Sequence, residues 1–111
     1  MTGPVVAEWV WFAIAPDGTE HDLVLRVGVP IQASAGEWIS TVSLGVLESR
    51  SHAVVGVDAW QSIVLALQFT AARIRHFADR GWRFSWTRGG ASASAAELEG
   101  VLSFPPSTPR A

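Results

Sequence analysis

Residues 56–81 read GVDAWQSIVLALQFTAARIRHFADRG, and this stretch predicts the helix on which the rest of the chain packs. Asp58 can accept a hydrogen bond from the free N–H groups of a first turn. Gln61, three residues on, can reach back to the Asp58 N–H, which makes a capping box. Gly81 supplies a left-handed stop. Between the caps Trp60, Ile63, Val64, Leu67, Ala71, Ile74 and Ala78 recur at helical spacing, while Gln61, Gln68, Arg75 and Asp79 fall on the other side. One broad face is expected in the core and one in water.

Upstream of the helix the period changes to that of strands. Val5 to Ala15 is an apolar, aromatic-rich run broken by Glu8, which predicts a central strand buried on much of both faces. Ala15-Pro16-Asp17-Gly18-Thr19 is a turn, because Pro fixes φ and Gly accepts the left-handed position. A second strand follows, with Leu23, Leu25, Val27 and Val29 alternating with Asp22, Val24, Arg26 and Gly28 until Pro30 ends it. Ile31 to Gly36 reads as a loop and Trp38 to Leu47 as a third strand, with Trp38, Ser40, Val42, Leu44 and Val46 on one face. Glu48 to Ser51 is a polar connection, and His52 to Val57 is a short strand leading into the helix.

Beyond Gly81, Trp82, Phe84 and Trp86 alternate with Arg83, Ser85 and Thr87, the clearest strand pattern in the chain. Gly89 to Ser94 has the composition of a linker. Ser94 and Glu97 make a second, weaker capping box for a short helix over Ala95 to Glu99, and Val101 to Phe104 can clip onto the sheet. Pro105 to Ala111 has nothing to bury and reads as a disordered tail. The expectation is one α+β domain over residues 1–104: an antiparallel sheet of about five strands, in the order β-β-β-β-α-β, with one long helix packed on one face.

Composition narrows the function classes. Hydrophobic residues are 49% of the 111 and charged ones 16%, which a disordered chain does not show. The absence of cysteine removes disulfides, thiolate nucleophiles and sulfur-ligated metals. No apolar run is long enough to cross a bilayer, and the N-terminal run lacks a basic start, so no membrane contact and a cytoplasmic location are expected. Charge is uneven: residues 1–72 hold two arginines against seven carboxylates, net −5, and residues 73–111 six arginines against three, net +3.

No catalytic motif appears. His21, His52 and His76 lie on three predicted elements without metal-ligand spacing, and there is no nucleophile elbow or phosphate-cradling loop. No cofactor, metal or catalytic residue is therefore expected, and the chain does not read as an enzyme. The stretch RIRHFADRGWRFSWTR, residues 73–88, mixes arginines with aromatics as single-strand nucleic-acid binders do. Alternation sets those aromatics and Arg83 on opposite faces, and the acidic total weakens phosphate binding, so nucleic acid is disfavoured.

The helix opening Gly56-Val57-Asp58-Ala59-Trp60-Gln61-Ser62, followed by Leu65-Ala66-Leu67, resembles a family of small bacterial proteins of unknown function. In that family a hairpin and a Trp-bearing strand, here with Trp38, precede a G-[VI]-D-x-x-Q-[SA] helix, and a strand ending in tryptophan, here Trp86, follows. The resemblance covers most of residues 5–86, and it implies the fold without supplying catalytic residues. In size and composition the chain is also similar to immunity proteins of bacterial toxin systems, a likeness that rests on no motif. The leading expectation is a non-enzymatic protein-binding module of that kind. Its partner, a toxin domain under that reading, would meet Asp17, Glu20, Asp22, Glu37 and Trp38, where complementary charge speeds encounter. Alternatives are a small-ligand or single-stranded nucleic-acid binder, and a homodimeric structural domain pairing open sheet faces.

Overall fold

The computed structural model describes residues 4–86 and 92–93; the expectations for Ala95–Glu99, Val101–Phe104 and Pro105–Ala111 lie outside the described residues. The elements are β1 (Val5–Ile14), β2 (Glu20–Gly28), β3 (Ile31–Gln32), β4 (Trp38–Ser43), β5 (His52–Gly56), α1 (Ala59–Asp79), β6 (Arg83–Ser85) and β7 (Ser92–Ala93). Pairing is antiparallel throughout, and β5-β4-β2-β1-β6-β7 lie side by side, with β3 continuing the position of β2. The fold is the expected α+β arrangement: a meander of the first strands, then a helix that crosses the sheet to deliver β6 beside β1.

Local chemistry accounts for the connections. The β1–β2 turn is held by Ala15 N–H to Thr19 O and Gly18 N–H to Ala15 O, with the Asp17 carboxylate accepting from both the Thr19 N–H and Oγ1. The turn joining β3 to β4 repeats this pattern with Ala33, Gly36 and Glu37, so Ile31 and Gln32 pair with Ile39 and Trp38 instead of forming a loop. Between Val27 and Ile31 the chain carries one more residue than its partner strand does between Ile39 and Val42. That bulge lies where Pro30 offers no N–H to the ladder. Backbone at Ser92–Ala93, within the expected linker, pairs with β6.

The third strand stops at Ser43, short of the expected Leu47. Gly45 turns with φ +57°, and a side chain there would come within 2.7 Å of the Val24 carbonyl oxygen. The following 3-10 turn, Gly45–Leu47, lets Leu44 and Leu47 both enter the core, which a straight strand would not allow for residues three apart.

The helix ends are nearly as expected. Asp58 Oδ1 accepts from the Gln61 N–H at 2.7 Å, and Gln61 Oε1 accepts from the Val57 N–H, one residue before the expected Asp58 donor. At the other end the Trp82 N–H reaches the Phe77 carbonyl across Gly81.

The buried stripe of α1 differs from the expectation. Ser62, Ala66, Thr70, Ala71 and Ile74 are buried, whereas Trp60 is 74% exposed. The cause is a close approach: a Cβ on Gly56 would stand 2.5 Å from the Ser62 nitrogen, so helix and strand touch backbone to backbone there. Small residues four apart line that contact, and bulkier neighbours flank it. The buried hydroxyls are satisfied, with Ser40 Oγ and Ser62 Oγ at 2.9 Å and Thr70 donating to the Ala66 carbonyl.

Candidate interaction surface

Alternation along the strands sorts the sheet into two faces. Trp11, Ala13, Leu23, Leu25, Val27, Val42 and Phe84 face α1 and form the core. The intervening residues face away, and cross-strand register places them in rows. Ile14 lies between Glu20 and Arg83, Phe12 between Asp22 and Ser85, and Val10 opposite Val24. Glu8 and Arg26 close the far end as an ion pair at 2.6 Å. The result is an apolar strip edged by carboxylates on β2 and by Arg83 on β6. Val10 is 48% exposed and Phe12, Ile14 and Val24 are half-buried, while Ser85, opposite Phe12 in the same row, is buried, and Phe12, Asp22 and Ser85 each have a further interaction partner.

This strip corrects the reading of β1 as buried on both faces. Val5 to Val10 are exposed, and burial begins at Trp11. Strict alternation in Val10–Ile14 against Val24 carries the signal for the strip, but the continuous apolar run hid it.

The five residues expected to meet a partner are split between two places. Glu20 and Asp22 flank the outer strip. Asp17 stands at the adjoining turn, where its two hydrogen bonds from Thr19 lower its carboxyl from the ordinary value, so it braces the turn itself. Glu37 and Trp38 belong to the other hairpin, Trp38 pairing with Gln32 and Gly56. That hairpin is at the opposite end of the sheet, roughly 40 Å along β2 and β3 from Glu20 at strand rise. A single contact patch does not include all five.

At that second end lies another apolar group. Ile31, Ile39 and Val55 are cross-strand neighbours on the outer face, with Ile31 69% and Val55 51% exposed. Val57 stands just beyond Gly56 and is also exposed.

Among the described residues three titratable groups, Glu48, His52 and Arg73, converge. Glu48 accepts from His52 Nε2 at 2.8 Å through one oxygen and from Arg73 at 2.6 Å through the other, so both oxygens are committed to bracing the β4–β5 connection against α1. Burial works to raise its carboxyl, but the His52 and Arg73 hydrogen bonds outweigh burial and hold it below the ordinary value. His21 packs on Trp82, and His76 accepts from Arg80 Nε. Among the described residues no three His, Asp or Glu side chains gather closely enough to hold a metal. On β6, Arg83 is exposed on the outer face while Phe84 is buried under the helix, so the arginine–aromatic mixture divides between faces.

Beside α1, Trp9 and Trp86 lean on the buried Trp11, each with ring centroids 5.5 Å from it. Trp11 Nε1 is buried without a conventional hydrogen-bond acceptor. The adjoining notch, lined by Ala7, Trp9, Leu25, Val27, Leu67 and Thr70, encloses about 60 Å³. A drug-sized ligand site encloses roughly 300 Å³ or more, so this notch takes no such ligand. Among the described residues no helix is long and apolar enough to cross a membrane.

Comparison with curated proteins and with solved structures finds no match. A family model, however, matches residues 11–95 of the 111, from the last four residues of β1 through the helix to β7. The chain therefore belongs to the family described as a domain of unknown function, DUF6968.

Proposed function

We propose that this protein is a non-enzymatic protein-binding module that meets its partner with the outer face of its sheet. The observation that carries this reading is the outward row of Val10, Ile14 and Val24, exposed or half-exposed, set between the carboxylate of Glu20 and the guanidinium of Arg83. An apolar centre with a charged rim is the usual anatomy of a protein interface: the centre supplies burial and the rim supplies steering and discrimination. The specific form proposed is an immunity-type protein of a bacterial toxin system. Such a protein acts by covering, which requires a firm surface and no chemistry, and the Glu20–Asp22 rim complements a basic toxin surface.

The test is capture of a partner from the source cells with the full chain as bait, alongside the Phe12→Arg and Glu20→Arg variants. Under this reading one protein is retained by the wild type and lost or weakened at least tenfold with both variants. Co-expression of the wild type, and not of Phe12→Arg, relieves that protein's toxicity. Equal retention by all three baits, or a retained protein without toxicity, removes the reading at the binding level or at the immunity level respectively.

A further inference from the structure

The outer edge of β5 is a second unfilled surface, independent of the one above. The strand pairs with β4 on one side, and among the described residues no strand pairs with the other. Exposed sheet edges are normally protected by charge, proline or a bulge. His52-Ala53-Val54-Val55-Gly56-Val57 has no formal charge besides its histidine, no proline, and a ladder without register shift. Its outward-facing Val55 continues the Ile31–Ile39 row.

We infer that this edge is occupied by the same edge of a second copy, in an antiparallel, two-fold pairing centred on Val54. The sequence around Val54 is self-complementary in that register. Arg50 and Asp58 stand four residues to either side, so each arginine of one copy lies opposite the aspartate of the other, twice over. Both residues are exposed, and capping engages Asp58 through Oδ1 at the Gln61 N–H. Ala53 lies opposite Val55 of the other copy on the outer face, small against branched, and Val54 opposite Val54 on the helix side.

A strand pair of this length alone is smaller than a standard interface, and the helix supplies the remainder. Phe69 packs on His52 with ring centroids 4.8 Å apart, so the flank of α1 that carries Phe69 leans over β5. Leu65 and Ala72 share that flank by helical spacing. The two-fold axis runs through the sheet, so both helices lie on one side of a continuous sheet and these flanks meet. The outer faces of both copies lie together on the other side.

The test is the mass of the full chain in solution by light scattering, combined with register-specific cross-linking. The expected mass is twice 11.9 kDa. Val55→Lys, at an exposed position, and Arg50→Glu, which sets like charges opposite Asp58, each weaken dimerisation at least tenfold without changing the far-ultraviolet spectrum. The chain has no cysteine to interfere. An equimolar mixture of Ala53→Cys and Val55→Cys proteins forms a disulfide-linked pair under oxidation, while neither protein alone does. A monomeric mass, a dimer indifferent to both charge variants, or cross-linking of Val55→Cys with itself overturns the proposal. Since the outer-strip variants leave this edge intact, failure of partner capture and failure of dimerisation are separable.

Discussion

Trp11 and Val10 are neighbours on β1; the first is fully buried and the second 48% exposed. The same contrast runs across the sheet, with Leu23 buried and its neighbours Asp22 and Val24 turned outward. The strands on the two faces are the same strands. What separates the faces is one helix, and the helix lies on one side because Gly56 and Ser62 bring strand and helix backbones together there. Core-facing and outward-facing residues therefore alternate one by one along β1 and β2, so the two faces can be altered separately by single substitutions.

The largest expected effect tests the covered face. Trp11→Ala removes the bulkiest buried side chain and is expected to cost about 4 kcal/mol, read from the denaturant midpoint; a loss below about 1 kcal/mol would mean that Trp11 is not the centre of the core. Next is the contact that sets the two faces apart. Gly56→Val forces a side chain against the Ser62 backbone and is expected to cost about 2 to 3 kcal/mol through overpacking, whereas Gly36→Ala, with open space around its Cβ position, carries only the penalty of its positive φ.

A smaller effect concerns the brace behind the helix. The Glu48 carboxyl is held below its ordinary value, so its contribution to stability is complete above the ordinary glutamate range near 4.5 and is lost as pH falls below it through the lowered value. Glu48→Gln should therefore flatten the acid limb of the stability profile; an unchanged limb would show that the His52 and Arg73 contacts are not coupled to folding. The smallest effect belongs to the outer face. Val10→Thr is expected to change stability by no more than about 0.5 kcal/mol while weakening partner capture. A large destabilisation would instead mean that the outer strip is covered.

How much of this was legible in the sequence varies with the range of the interaction involved. The capping box, the Gly81 stop and the Asp17–Gly18 turn are local arrangements, and all three stand as read except that Gln61 reaches Val57 in place of Asp58. The motif of Gly56, Asp58, Gln61 and Ser62 proves to be a helix-entry device, comprising close approach, cap, reciprocal cap and a small residue at the contact. Trp60 and Val10 were misplaced because apolar character alone does not say which side of a helix or strand meets another layer. The residues expected to meet a partner divide between two places because the two hairpins lie at opposite ends of β2 and β3, a distance that a run of acidic residues does not show.

The chain by itself determines the caps of α1, the β1–β2 turn and the alternation of the longer strands, since these depend on residues a few positions apart. Only the tertiary structure decides that Ser40 meets Ser62, that Glu48 joins His52 to Arg73, and that among the described residues no strand pairs with the outer edge of β5. Ser40 and Ser62 are 22 positions apart and Glu48 and Arg73 are 25 apart, so these contacts arise only when the helix packs on the sheet and no local pattern records them.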